Sequence, residues 1–318
     1  MPKGYRQLTR DQRCQISALK QSGSSQASIA RHLGLSASTI CCELKRNAGR
    51  TGFETASRIS GRRRSKASSR PSRFTPDLID QIEEYLTERQ WSPEQISGFL
   101  KSQGLPFVSH ERIYQHIWAD KKAGGTLYKS LRHSGKKYCK QKGKTSGRGV
   151  IPGRIDIDQR PKIVEEKSRI GDWEGDLIIG ANHKGAIMSH VDRKSKYTKL
   201  TLLEDKKAET IIEGCRNTLL PLALFIHTIT YDNGKEFAGH MIIGDMLGVT
   251  CYFATPYHSW ERGLNEHTNG LVRQYFPKGT DFAKLTPAEV QAVEDKLNSR
   301  PRKILGFKTP REVFAQAA

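Results

Sequence analysis

The 318-residue chain has no apolar run approaching the roughly 18 residues that a membrane span needs. Its start, Met1-Pro2-Lys3-Gly4-Tyr5-Arg6, also lacks the apolar stretch of a secretory signal. A soluble protein that stays in the compartment where it is made is therefore expected. Cysteine is sparse: Cys14, Cys41, Cys42, Cys139, Cys215 and Cys251 include no C-x-x-C pair, which excludes the usual zinc-site spacing and a disulfide framework. They read as reduced thiols used for packing. Acidic residues are also scarce, but only locally, and that local scarcity is the first clue to function.

Residues 1–150 hold 29 Lys+Arg against 11 Asp+Glu, a net of +18, whereas residues 151–318 hold 24 against 22, a net of +2. A chain merely kept soluble by charge would not be divided in this way. The asymmetry points to a polyanion-binding first half joined to a second half that does chemistry or assembly. Two stretches of the basic half read as linkers, 48–73 with Arg62-Arg63-Arg64 and 121–165 with its Lys136 to Arg154 basic run, because neither sustains an apolar period. Each is expected to be a solvated tether, with or without tracking DNA phosphates.

Before the first linker, Thr9-Arg10-Asp11-Gln12 has the form of a capping box, with Ile16 and Leu19 facing inward along the helix it starts. Ser25 to Leu33 places Ile29, Ala30 and Leu33 on one face, Gly34 turns the chain, and Ser36 caps a helix anchored by Ile40 and Leu44. That is helix-turn-helix spacing, and it assigns 1–47 to a DNA-binding domain. A plain three-helix bundle is the alternative. The outward side of the last helix would present Ser38, Thr39 and Cys42 to base edges and Lys45 and Arg46 to phosphates. Residues 74–120 repeat the logic: Thr75-Pro76, Ser92-Pro93 and Ser109 open three helices, the last with His110, Arg112, Gln115 and His116 outward. This second module is less basic, so protein contact competes with DNA contact.

The pattern changes from 166 to 318. Asp176 to Ile179, Ala186 to Val191 and Tyr197 to Leu203 read as strands, followed by a helix (208–219), a strand (228–231), a helix (240–247) and a strand (251–254). A mixed sheet flanked by helices is the natural architecture. Asp232-Asn233-Gly234 is ordinary turn chemistry, yet it leaves a buried strand at a position where ligand-facing residues of such sheets gather. Glu261 to Phe276 reads as a helix that sets Glu266, Asn269 and Arg273 on one face, a carboxylate beside groups suited to phosphate.

Asp176 in Trp173-Glu174-Gly175-Asp176, Asp232 in Tyr231-Asp232-Asn233-Gly234, and Glu266 in Glu261-Arg262-Gly263-Leu264-Asn265-Glu266 together resemble the DDE triad of transposases with a ribonuclease-H-like, retroviral-integrase-type core. The last two acids are separated by 33 residues, the D-D-33-E form. The closer resemblance, through Ser38-Thr39-Ile40, Glu43-Leu44-Lys45-Arg46-Asn47 and the segment from Gly263 to Phe276-Pro277-Lys278-Gly279, is to bacterial insertion-sequence transposases of the family numbered thirty. It implies a multidomain α plus α/β protein, with helix-turn-helix modules ahead of the catalytic core, cytoplasmic and nucleoid-associated. It also implies binding to the terminal inverted repeats of double-stranded DNA, a homo-oligomer of at least two subunits, and no membrane partner. Water would cut at the element's ends to leave a 3′-hydroxyl, which then attacks a target strand.

Three carboxylates from two strands and a helix can hold two Mg²⁺ ions, with Mn²⁺ as a substitute, for in-line phosphoryl displacement. Asp172, Glu174 and Asp176 share a strand face at period two, so composition leaves the three open, and the family motif selects Asp176. Glu261 is a rival to Glu266. His258 and His267 could touch substrate, Arg300 and Arg302 could meet DNA, and Thr286-Pro287 and Thr309-Pro310 open packing helices. A DNA-binding regulator with a non-catalytic second half, or a nuclease that hydrolyses without joining, are the competing functions. If the basic half neutralises about 6 to 10 phosphates, affinity for DNA should fall by on the order of 10³ to 10⁵ between 50 and 200 mM salt. A filter-binding titration in salt reads that slope directly, and a flat response would remove the polyanion role from the charge.

Overall fold

The computed structural model describes residues 8–46, 53–68, 73–132, 151–255 and 263–316. The chain divides into two compact units, Met1–Ser72 and Arg73–Ala318. In the first, α1 (Arg10–Gln21), α2 (Gln26–His32) and α3 (Ala37–Arg46) close over Leu8, Ile16, Ile29, Ala30 and Ile40. The Thr9–Gln12 capping box forms in both directions, which satisfies N–H groups that the first turn cannot. One feature escaped the apolar pattern: Glu43 of α3 is buried, and its carboxylate accepts from Arg13 Nε at 2.8 Å. That pair ties α3 to α1 on the side away from Cys42 and Lys45.

The first linker expectation is corrected. Phe53–Ser68 is a helix, α4, and it packs along α1. Arginine, alanine and lysine are good helix formers even without an apolar stripe, and docking on α1 supplies what periodicity does not show. Arg62, Arg63 and Arg64 stand exposed along it.

The second unit begins with α5 (Pro76–Thr87), α6 (Pro93–Ser102) and α7 (His110–Lys122), whose core is Leu78, Ile82, Leu86, Trp91, Ile96, Leu100, Ile113 and Ile117. Each helix is capped by the expected Thr75, Ser92 or Ser109. The second linker expectation is corrected at both ends. Leu127, Tyr128 and Leu131 pack into this helical core, while Ile151, the two-residue strand β1 (Ile155–Asp156) and α8 (Lys162–Glu166) belong to the sheet domain. A strand of two residues carries no alternation that a sequence could display. Residues 133–150, which hold most of the Lys136 to Arg154 basic run, lie outside the described residues.

The sheet joins β1 to β2 (Asp172–Ile179), β3 (Ala186–Asp192), β4 (Thr198–Leu203), β5 (Thr228–Tyr231) and β6 (Thr250–Phe253), in the order β1-β6-β5-β2-β3-β4. β2, β3 and β4 form an antiparallel meander, whereas β5 pairs parallel with β2 and with β6. The parallel steps pass through α9 (Ala208–Leu219) and α10 (His240–Leu247), as parallel strands require a crossover. A meander followed by two parallel crossovers, with the meander's first strand, β2, at the centre, is the ribonuclease-H-like topology.

Two apolar layers lie on opposite faces. Trp173, Leu177, Ile229 and Tyr231 face the layer shared with α9 and α10. Ile178, Ile187 and Leu200 face the layer shared with α11 (Gly263–Tyr275) and α12 (Pro287–Asn298). α12 also covers the exposed edge of β4: Asn298 exchanges both amide hydrogen bonds with Thr198 at 2.8 Å, and Glu294 accepts from Leu200 N at 2.7 Å. These contacts occupy backbone groups that would otherwise template pairing with another strand. A short α13 (Pro310–Phe314) stacks Phe314 on Tyr197, 4.5 Å between ring centroids. Both Thr-Pro starts therefore serve packing, as expected. Among the described residues no helix is long and apolar enough to cross a membrane.

Gly175 is the one position of β2 where a side chain cannot fit, because a Cβ there would sit 2.3 Å from the Tyr231 ring and 3.1 Å from His190. His190 is fully buried, bonded through Nε2 to the Tyr231 hydroxyl at 3.1 Å, and burial pushes its pKa down to about 3. It stays neutral when folded, whereas the unfolded chain protonates it below about 6.5. Stability should therefore fall as the pH drops from 6.5 through about 3. In acid denaturation monitored by circular dichroism, His190→Gln should flatten that limb, and an unchanged limb would assign it to other groups.

Candidate functional site

β2 carries the choice among three acids, and the structure separates them by their partners. Asp172 is fully buried, accepting from Arg169 at 2.9 Å through both oxygens and from Thr228 Oγ1 at 2.8 Å. Glu174 is also buried, paired with Arg193 Nη1 at 2.9 Å. Both hold the fold together. Asp176, further along the same face, is the acid of this strand that reaches partial exposure. Burial thus distinguishes Asp176 from the other two acids of the strand.

β5 brings the second acid. The parallel register pairs Asp172 with Thr228 and Glu174 with Thr230 and ends there, two residues before Asp176 on β2 and Asp232 beyond β5. Asp232 lies one residue beyond the end of β5, where its Oδ1 accepts from Gly234 N at 2.9 Å and its carboxylate lines a groove with Lys206, Lys207 and Glu209. Asn233, next to it, is locked down by donating to the Ala254 carbonyl and accepting from Arg154 at 2.6 Å.

α11 contributes the rest. Glu266 stands exposed in its first turn, and Glu266, Asn269 and Arg273 line one groove with Arg132, His267 and Lys278, as the helical stripe predicts. Asn269 donates from Nδ2 to Asp176 Oδ2 and accepts from Ser189 Oγ at 3.1 Å, so its amide ties Asp176 to β3. Ser189 is the residue paired with Asp176 across the β2–β3 ladder. Arg273 donates to the Ile179 carbonyl at 2.6 Å and lies over the Phe282 ring, and desolvation lowers its pKa. Among the described residues, no three carboxylates, histidines or cysteines lie close enough to hold an ion as they stand. Asp176 and Asp232 nonetheless offer the hard oxygen donors that Mg²⁺ takes, with Glu266 one helical turn from the Asn269 that touches Asp176.

Other expected contacts are placed as follows. Ser38, Cys42, Lys45 and Arg46 are exposed on α3, while Thr39, half-buried, shares a hydroxyl hydrogen bond with Ser36 at 2.7 Å. On α7, His110, Arg112 and Gln115 are exposed, with the Arg112 guanidinium 4.6 Å from the centroid of the Phe74 ring, and His116 is held by Glu83 at 2.7 Å. Arg300 is buried against Gln274 and Tyr275, which withdraws it from DNA. Glu261 and His258 lie outside the described residues. Arg132 was missed: it sits within the expected second linker, yet its guanidinium lies against Gly270 of α11, where a Cβ would come within 2.5 Å of Nη2. No local pattern marks it, since only the fold brings it to that groove.

A helix-turn-helix unit together with a ribonuclease-H-like sheet whose paired strands present neighbouring carboxylates defines a class, the DNA-binding phosphoryl transferases that rearrange DNA. The helix-turn-helix domain family model matches residues 4–47. The transposase for insertion sequence element IS4351 of Bacteroides fragilis is 46% identical over 97% of this chain and 95% of its own length. The transposase for IS1086 of Cupriavidus metallidurans is 37% identical over 98% and 95%, and the transposase InsI for IS30A of Escherichia coli 34% over 96% and 83%. The catalytic core domain of BIV integrase aligns with 46% of this chain and 94% of its own at 20% identity and a TM-score of 0.35; the strand order, rather than that likeness, defines the fold. The chain belongs to the insertion-sequence transposases of the family numbered thirty.

Asn269→Ala should leave a cavity-side Ser189 hydroxyl and an unclamped Asp176, costing about 1 to 3 kcal/mol and lowering DNA cleavage with end binding retained. Urea denaturation and a cleavage assay measure the two effects, and full cleavage in the variant would refute the clamp.

Proposed function

We propose that the protein is a DDE transposase that binds the terminal inverted repeats of its insertion sequence through the 1–47 domain, with help from the 74–120 module. Its sheet domain then cleaves the ends and joins them to target DNA. The observation that supports this reading is the parallel β2–β5 pairing, Asp172 with Thr228 and Glu174 with Thr230, which runs toward Asp176 and Asp232, together with the bond from Asn269 of α11 to Asp176. Asp176, Asp232 and Glu266 are the residues assigned to hold two Mg²⁺ ions, or Mn²⁺ in their place. When bound, such ions supply positive charge where the phosphate reacts.

The residues of the chain do the remaining work. Asn269 holds Asp176 in one orientation by donating from Nδ2 to its Oδ2. The Asp232-to-Gly234 turn fixes the second carboxylate at the end of β5. Arg132, Lys278 and Arg273 give the Glu266 groove its positive lining, suited to the phosphates of a strand lying along α11. Water attacks the phosphodiester at each end and the 3′-hydroxyl leaves; in the joining step that hydroxyl attacks a target phosphodiester, forms the new P–O bond and expels the target strand's own 3′-oxygen. Holding two ends together calls for at least a dimer.

Asp176→Asn, Asp232→Asn and Glu266→Gln should each abolish Mg²⁺-dependent cleavage while leaving gel-shift binding of the end intact. Loss of binding in all three would remove the ligand role. Strand transfer from pre-cut ends separates a transposase from a nuclease, because a nuclease yields no joined product.

A further inference from the structure

Gly98 of α6 and Gly270 of α11 stand inside helices, where glycine is less favourable than most residues. Each leaves a notch that a side chain from the facing domain fills. A Cβ at Gly98 would lie 2.1 Å from the Phe307 ring, and one at Gly270 would lie 2.5 Å from Arg132 Nη2. Phe307 belongs to the turn between α12 and α13 of the sheet domain, whereas Arg132 follows Leu131, which packs into the core of α5, α6 and α7. The second helical module and the sheet domain therefore meet at two points, one notch on each side.

The Phe307 contact is held by its own turn. Gly306 and Phe307 both adopt left-handed backbone, φ 64° and 67°, which suits glycine and strains an aromatic residue. Phe307 N donates to the Arg302 carbonyl at 2.9 Å, and Arg302 N to the Lys308 carbonyl at 3.0 Å, so the strained residue is fixed from both sides. One helical turn before Gly98, Glu94 accepts from Lys303 Nζ at 2.6 Å; this pair is exposed and adds little by itself. At the other notch, Arg132 is exposed and lines the groove of Glu266. Among the described residues its guanidinium has no hydrogen-bond or ion-pair partner, whereas Arg273 in the same groove already donates to the Ile179 carbonyl.

Leu127, Tyr128 and Leu131 anchor the chain just before Arg132 in the module's core, so Arg132 goes where the module goes. A guanidinium presents its donors in a fixed fork that matches a phosphate. Resting on the transposase reading for the identity of the strand, we infer that the second helical module supplies Arg132 to the cleavage groove, where it holds a backbone phosphate of the DNA end. Phe307 seated on Gly98 keeps the module in the position that places this guanidinium there. Docking of the module and cleavage are thereby coupled within one chain: a module released from Phe307 takes Arg132 out of the groove.

The test uses the full chain. A zero-length carbodiimide cross-link between the Glu94 carboxylate and the Lys303 amine, read by peptide mass spectrometry, reports docking independently of activity. Gly98→Leu fills the notch with a good helix former, and Phe307→Gly removes the ring while suiting the left-handed backbone. Each should lose the cross-link in protein that is folded by circular dichroism, and Arg132→Ala should keep it. All three should lower kcat/KM for Mg²⁺-dependent cleavage of the end by about 10- to 100-fold, the range for one hydrogen bond to a charged group, with Arg132→Lys recovering part of the loss. For a duplex of the end in EDTA, each should also reduce the salt slope of binding by about 1, the loss of one phosphate contact. Gly98→Leu combined with Arg132→Ala should be no worse than the poorer single variant, because both remove the same contact. The proposal is overturned by losses that multiply in the double variant, by full cleavage in Arg132→Ala or in a variant without the cross-link, and by a cross-link that survives both docking changes. A wild-type chain that never cuts removes the transposase reading; reduced salt slopes would then still support the docked Arg132 contact, and unaltered slopes would overturn it too.

Discussion

The parallel pairing of β2 with β5 is the constraint on which the site depends. A one-residue slip would turn Asp176 toward the Trp173 layer and bury a carboxylate among aromatics. The register is held from both sides. On one face Asp172 bonds Thr228 across the two strands, and on the other Gly175 alone leaves room for Tyr231 and His190 to meet. Asp172 and Glu174 are bonded to Arg169 and Arg193, whereas Asp176 is half-buried and bonded to Asn269.

The same face is finished by α11, whose stripe combines two tasks. Asn269 orients Asp176, and Glu266, one turn earlier, stands at the mouth of a positively lined groove. Arg132, Arg273 and Lys278 beside Glu266 lower the repulsion that a polyanion would meet at that groove. The near-neutral charge of residues 151–318 thus conceals a local surplus of bases along one groove.

Much of this was readable in the chain because the signals are local. Capping residues at Thr9, Thr75, Ser92, Ser109, Thr286 and Thr309 act within one helical turn, and every one of them caps as its sequence implies. The meander and the alternating strands are legible for the same reason, since period two is a property of neighbours. The failures share the opposite cause. α4 has no apolar stripe and owes its place to docking on α1, and β1 is too short to alternate and exists only as a partner of β6.

The sequence by itself determined the division of charge, the helix-turn-helix spacing, the strand and helix order, and the family motif that singles out Asp176, Asp232 and Glu266. Only the tertiary structure decided which acids of β2 are structural. It also bonded Asn269 to Asp176 and brought Arg132 to the α11 groove. Such outcomes depend on burial and on partners distant in the chain. A carboxylate reads the same in sequence whether it meets an arginine, an asparagine or water, and only the folded contacts distinguish these.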